Sequence, residues 1–165
     1  TRYRQAAGVT LRLGITGNEA QIYASHRSES RKKLSEWRYG GYVVGGPGAH
    51  GRITEGDDLF ATRRHRAPEP WATLVEQKGT GQTQKESLVA QERAREMLLM
   101  GLRVTEGLNL TRFRERTGLT LADATNSVIL DAACEENYLT LEGNNLRATA
   151  EGRLRLEALL GALIR

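Results

Sequence analysis

The sequence predicts an α+β protein with a short β-containing first part and a helical second part that carries a β-hairpin. Three observations lead to this fold class. Partly alternating runs flank a Gly-Asn turn near residue 17, apolar residues recur at helical spacing from Ala90 to Arg103, and a Gly143–Asn145 turn separates two short strands. Helices followed by a hairpin and a closing helix are typical of a winged-helix-like module.

Composition limits the classes of protein that this sequence fits. The 165 residues are 39% apolar and 27% charged, which is typical of a globular domain, and no apolar run is long enough for a transmembrane segment. The net charge of +4 is compatible with an acidic partner. Because Cys134 is the one cysteine of the sequence, the sequence has no internal disulfide, and we expect a protein that is not secreted.

The first part of the chain is predicted from short local signals. We expect a β-hairpin over residues 9–24 with its turn at Thr16–Glu19, and a short charged helix capped by Ser28. The other expected elements are a strand at Tyr42–Val44, the glycine loop Gly45–His50, a helix at Trp71–Gln77 and a polar linker. These elements divide the chain into residues 1–78, a linker at 79–86 and a second domain at 87–165.

The second part has clearer helical patterns and caps. The helix from Ala90 is followed by a short one that Asn109 or Thr111 caps and Gly118 ends. A third helix runs from Leu121 or Thr125 to Glu136, and Thr149 caps the last helix. The expected buried and paired residues of this part are Val128, Ile129, Ala132 and Ala133 in the third helix, Tyr138–Glu142 and Leu146–Ala148 in the wing, and Leu154, Leu156, Leu159, Leu160, Leu163 and Ile164 in the last helix.

Linked motifs along most of the sequence resemble one protein family. Glu92–Arg103 followed by Glu106–Leu108 resembles the opening of the C-terminal domain of HemW-type proteins, the radical-SAM relatives of oxygen-independent coproporphyrinogen III oxidase. Glu29–Arg31, Trp37–Gly40, Gly46–His50 and Ala61–Arg64 are similar to the end of that family's catalytic barrel, and Leu146–Leu154 is similar to its wing and final helix. The resemblance implies the end of a radical-SAM partial barrel followed by a winged-helix-like domain.

The resemblance also implies a chemistry that this sequence departs from. The family carries a four-iron cluster on a three-cysteine loop, with S-adenosylmethionine on the cluster, and HemW-type members deliver haem. With Cys134 alone this sequence cannot hold such a cluster. Lys32 and Lys33 stand where His-Asn is expected, and Gly45-Gly46-Pro47 departs from Gly-Ile-Gly-Pro. We therefore expect a protein that is not an enzyme and has no resident cofactor, with haem as the alternative.

The glycine loop is the candidate cofactor-binding segment. Gly46 and Gly48 lack a Cβ and so let backbone N–H groups approach a ligand, while His50 is a candidate haem-iron ligand. His26 and His65 are further imidazoles. The alternative is a tight strand exit that serves folding alone, and this is the interpretation we favour. Cys134 is interpreted as a small core residue rather than a thiolate ligand.

A second candidate site is the basic segment at Arg63, Arg64 and Arg66. It fits phosphate, an RNA backbone or an acidic protein surface, and its alternative is a solvated loop. Sequence-specific DNA binding is not expected, since the third helix carries carboxylates that repel phosphates. These carboxylates are Asp123, Asp131, Glu135 and Glu136.

Three functions from different classes remain. The favoured one is a structural or interaction subunit among the protein subunits of a larger assembly, located on the mitochondrial matrix side or in a bacterial cytoplasm. The first alternative is a haem-binding or haem-transfer module. The second is one half of a split radical-SAM enzyme, whose other polypeptide supplies the cluster.

Overall fold

The computed structural model describes residues 15–17, 23–25, 34–35, 38–56 and 58–165. They form two compact units, each described separately below. Unit 1 contains the described residues up to Tyr39 together with Ala90–Arg165, and unit 2 is Gly40–Val89. The expected division after residue 86 therefore lies three residues before the end of unit 2, and the described residues ahead of Gly40 group with the C-terminal part.

The N-terminal hairpin is present. Strands β1 (Ile15–Gly17) and β2 (Tyr23–Ser25) pair antiparallel, with Gly17 opposite Tyr23. The turn was expected at Thr16–Glu19, but Thr16 and Gly17 pair within β1, so that placement was wrong. Of the helix expected after Ser28, Leu34 and Ser35 are helical, and most of the remainder lies outside the described residues.

Unit 2 is an antiparallel sheet with one helix. Its order is β3 (His50–Glu55), β4 (Asp58–Arg64) and β5 (Gln82–Ser87). Helix α1 (Pro68–Lys78) connects β4 to β5, so it begins three residues earlier than expected. Proline is favoured in the first turn because the N–H it lacks has no helical partner there.

Two predictions for unit 2 were wrong. The expected strand Tyr42–Val44 is reduced to a single bridge between Tyr42 and Arg52, since the Val44 carbonyl accepts a side-chain hydrogen bond from Arg64 instead of pairing in a ladder. The expected linker, residues 79–86, contains all of β5 except Ser87, and the residues of β5 pair with β4 from Arg64–Gln82 to Phe60–Ser87. The strand was not predicted because β5 is almost entirely exposed, so its residues are polar and show no apolar alternation.

Unit 1 combines short helices with a three-stranded sheet of order β6-β8-β7. Asn109, Gly118 and Thr149 cap helices as expected: the Asn109 side chain accepts from the Arg112 N–H, and Thr149 accepts from the Gly152 N–H. The elements after Tyr39 are α2 (Ala90–Gly101), β6 (Leu108–Asn109), α3 (Leu110–Thr117), α4 (Leu121–Ala124), α5 (Ser127–Glu135), β7 (Leu139–Glu142), β8 (Asn145–Ala148), α6 (Ala150–Arg153) and α7 (Leu156–Leu163).

The expected third helix is interrupted. Thr125 forms an antiparallel bridge with Ile164, and the Asn126 side chain caps a new helix by accepting from Val128 and Ile129 N–H groups. This rotates α5 relative to the expected face: Val128 is 73% exposed, Ala132 is exposed, Ile129 is half-buried, and Ala133 alone of the four is buried. The last helix is likewise divided into α6 and α7, with Leu154 and Arg155 between them.

The hydrophobic core lies in unit 1. Its large apolar side chains that are at most 2% exposed are Met97, Leu98, Leu102, Val104, Phe113, Leu139, Leu146, Leu160 and Leu163. Unit 2 buries less, with Leu59 and Leu88 each 8% exposed, and α1 contains no buried residue. Among the described residues, no helix is long and apolar enough to span a membrane.

Candidate functional site

The glycine loop of unit 2 is open on one side and braced on the other. Gly46 and Gly48 adopt φ values of 95° and 72°, a region that glycine enters without strain. The Gly48 N–H donates to the His65 carbonyl at 2.8 Å, which holds the loop against the segment after β4. A Cβ added at Gly46 would meet nothing within 4 Å, so described residues leave that side of the loop free for a ligand.

His50 and Arg63 lie side by side at the end of this loop. His50 begins β3, and the strand register places it directly opposite Arg63 of β4. Directly opposed residues carry their Cβ atoms about 4.5–5.5 Å apart on the same side of a sheet. Both residues are exposed, and neither side chain hydrogen-bonds to a residue in the described part of the chain. An imidazole and a guanidinium are therefore presented together.

The side chains of the basic segment differ in the hydrogen bonds that they form with described residues. Arg64 donates from Nε to the Val44 carbonyl at 2.7 Å and is half-buried, so it supports the loop. The Nδ1 atom of His65 accepts from the Ala67 N–H at 3.2 Å. Arg66 is exposed beside Gly48. The structure thus brings Gly46, Gly48, His50, Arg63 and Arg66 into one region and assigns Arg64 a supporting contact.

The remaining candidates lie apart from this region. His26 is outside the described residues. Cys134 is half-buried on α5, and burial with the nearby Asp131 raises the pKa of its thiol, which disfavours the thiolate that binds metals. Within the described ranges, no group of three His, Cys, Asp or Glu side chains is placed to hold a metal ion.

One cluster of unit 1 was not anticipated from the sequence. Arg38 donates to both carboxylate oxygens of Glu106, at 2.6 and 2.7 Å, and the buried Tyr39 donates its hydroxyl to Glu96 at 3.0 Å. Tyr39 has φ 57°, which is uncommon for an aromatic residue. All four residues belong to motifs that carried the resemblance, but 57 and 68 positions separate the partners, so local spacing did not reveal the pairing.

Comparison with known proteins defines the class of protein. Residues 88–155 match the family model described as the HemN C-terminal domain. The structure is similar to that of coproporphyrinogen III oxidase (HemN) from Escherichia coli, a radical SAM enzyme, with a TM-score of 0.68 and 14% identity over 96% of this chain and 39% of that one. The mixed α/β fold is therefore similar to that of the C-terminal part of HemN, and residues 88–155 are similar to the HemN C-terminal domain.

Curated relatives indicate which radical SAM proteins this chain is similar to. The chain is 27% identical to the mitochondrial radical S-adenosyl methionine domain-containing protein 1 of Danio rerio, over 98% of this chain and 38% of the relative. It is 26% identical to the heme chaperone HemW of Haemophilus influenzae, over 96% and 40%. The chain spans about two fifths of the length of these relatives. The predicted recognition is confirmed: this chain is similar to the C-terminal part of HemW-like radical SAM proteins.

Proposed function

We propose that this chain is the non-catalytic, haem-handling C-terminal part of a HemW-like protein. Similarity to heme chaperone HemW over nearly the whole chain supports the proposal. The observation that carries it is the exposed pair of His50 and Arg63 beside the open side of the glycine loop. An imidazole is a common axial ligand of haem iron, and a guanidinium pairs with carboxylates such as the propionates of haem.

The side chains around the loop fit a haem that is carried as cargo. Val43, which is 75% exposed, provides apolar surface in the segment leading to the loop. Arg66 adds a second exposed guanidinium beside Gly48. In this arrangement His50 would hold the iron and Arg63 and Arg66 would pair with the propionates, and no bond of the porphyrin would be changed.

Haemin titration of the full chain tests this assignment. We expect a Soret band that saturates and that His50→Ala removes, because the axial imidazole is lost. His65→Ala is the matched control, since the His65 ring is engaged with Ala67, and we expect its titration to be unchanged. A Soret band that persists in His50→Ala, or one that disappears equally in both variants, would overturn the assignment.

A second candidate function is an interaction subunit in a larger assembly, either mitochondrial or in a bacterial cytoplasm. It is favoured by β5, an edge strand within the described part of unit 2 that pairs with β4 on one side and is largely exposed on the other. Open strand edges can pair with another chain, although charged residues such as Lys85 protect them. Gentle purification followed by the mass of the intact complex tests this function, since a monomer would contradict it.

The same preparation tests whether a separate polypeptide supplies a cluster. Iron–sulfur absorbance together with a cysteine-rich partner would contradict the non-catalytic proposal, because the assembled pair would then have the groups for radical chemistry. A complex without that absorbance supports a binding or structural role.

A further inference from the structure

Helix α3 of unit 1 carries three arginines, Arg112, Arg114 and Arg116, that form no ion pair within the described part of the chain, although the charge of Arg114 acts on the carboxylate of Asp123. Arg114 and Arg116 are exposed, and Arg112 is half-buried. Among the described residues, no carboxylate lies within ion-pair distance of any of the three. Four other arginines of the same unit are paired with carboxylates. These pairs are Arg38–Glu106, Arg103–Glu157, Arg147–Glu142 and Arg155–Glu151.

The local structure of α3 accounts for two of these arginines but not for the third. Arg114 and Arg116 lie in the last turn, where the helix dipole favours cations. Arg112 lies in the first turn, where the dipole disfavours them, and that turn contains no acidic residue. Arg112 and Arg116 are also four positions apart, so their like charges repel on the same flank of the helix.

A third guanidinium extends this flank. Arg93 of α2 donates from one terminal nitrogen to the Arg116 carbonyl at 3.5 Å, which places it beside the end of α3. The Nε atom of Arg93 is buried and has no hydrogen-bond partner among the described residues. We call Arg93, Arg112 and Arg116 the α3 arginine face. It brings together three guanidinium groups that form no ion pair with a carboxylate among the described residues.

We propose that the α3 arginine face binds an acidic segment of another polypeptide. Carboxylates fit guanidinium groups in a two-bond geometry, and two carboxylates one helical turn apart would match the spacing of Arg112 and Arg116. An extended nucleic acid fits this surface less well, because its longer run of phosphates would reach the neighbourhood of Asp123, whose exposed carboxylate lies close enough to α3 to interact with Arg114. This surface lies in unit 1 and does not involve the residues assigned to haem.

Charge reversal at Arg112 distinguishes a loss of peptide binding from a loss of folding. In Arg112→Glu, the new carboxylate lies three residues after the Asn109 cap and in the first turn of α3, where it favours the helix. We therefore expect unfolding in urea at an equal or higher concentration than for the unchanged chain. Affinity for a fluorescein-labelled oligo-glutamate peptide, measured by anisotropy, is expected to fall about tenfold or more because one attraction becomes a repulsion.

Arg95→Glu is the matched control. Arg95 is exposed on α2, outside the α3 arginine face, and its substitution changes the net charge by the same amount as Arg112→Glu. We expect it to weaken peptide binding about twofold or less. Equal losses in the two variants would overturn the proposal, as would the absence of saturable peptide binding. Tighter binding of an oligouridylate of equal charge would overturn it in favour of nucleic acid.

Discussion

The two units of this protein differ in how they are held together. Unit 1 encloses side chains such as Phe113 and Leu98 that are 0% exposed, while the most buried apolar side chains of unit 2, Leu59 and Leu88, keep 8% exposure. The stability of unit 1 therefore comes from apolar burial, and unit 2 depends more on its strand ladder. The proposed haem ligands lie on unit 2, so changes to the core of unit 1 and to the loop of unit 2 should be separable.

The largest expected effect is on the core of unit 1. Phe113→Ala removes a fully buried ring and should lower the free energy of unfolding by about 3–5 kcal/mol, measured by urea denaturation. Leu59→Ala in unit 2 should lower the free energy of unfolding by about 2–3 kcal/mol, which is at the lower end of the range for truncating a buried leucine to alanine. If Leu59→Ala cost as much as Phe113→Ala, the contrast between the units would be wrong.

A smaller effect is expected where backbones approach closely in unit 1. A Cβ at Gly152 would collide with the Tyr138 carbonyl oxygen, so Gly152→Ala must displace α6 from the wing. The substitution should lower the free energy of unfolding by about 1–3 kcal/mol. Gly161→Ala is the control, because a Cβ there meets nothing within 4 Å on the exposed side of α7. It should raise the midpoint of thermal unfolding, since alanine favours helix. A loss of stability in Gly161→Ala would contradict this account.

The ion pair between Arg38 and Glu106 should contribute less. Both side chains are 46% exposed, so solvent screens the pair despite its two hydrogen bonds. A double-mutant cycle with Arg38→Gln and Glu106→Gln should give a coupling energy of about 0.5–1 kcal/mol that decreases at high salt. A coupling that did not change with salt would show that the contact is not electrostatic.

The smallest effect concerns acid stability at α4. Hydrogen bonds from the Thr120 side chain and backbone hold the pKa of Asp123 below its ordinary value. A carboxyl group with a lowered pKa stabilises the fold above its unfolded pKa, near 3.9, and loses that contribution as the pH falls through the lower, folded value. Asp123→Asn should therefore show a smaller decrease in unfolding free energy between neutral and acidic pH. An equal decrease would mean that the cap does not contribute to acid sensitivity.

Local signals predicted much of unit 1, and tertiary contacts explain the errors. The Asn109 and Thr149 caps, the Gly118 stop and the wing turn each depend on residues close together in the chain, which a single sequence displays. The wing turn is one residue shorter than expected, because Asn145 begins β8 and pairs with Glu142. The exposure of Val128 could not be predicted, because the helix is interrupted by pairing between Thr125 and the distant Ile164.

At the candidate site, too, the local features were predicted from the sequence and the long-range contacts were not. The Gly46–His50 loop and the arginines after it were evident from composition, since glycine and clustered cations are local features. That Arg63 stands beside His50 while Arg64 supports Val44 depends on the register of β3 and β4 and on the path of the loop. Sequence spacing treats the two arginines as equivalent.

The sequence alone therefore determined the family resemblance, the helix caps, the wing and the residues available for a ligand. The tertiary structure decided which of those residues are exposed and which form hydrogen bonds within the described part of the chain. It also decided that the polar segment Gln82–Ser87 is a strand. The reason is physical: caps and turns are stabilised by neighbours in the chain, whereas strand register and the pairing of Arg38 with Glu106 depend on residues that only folding brings together.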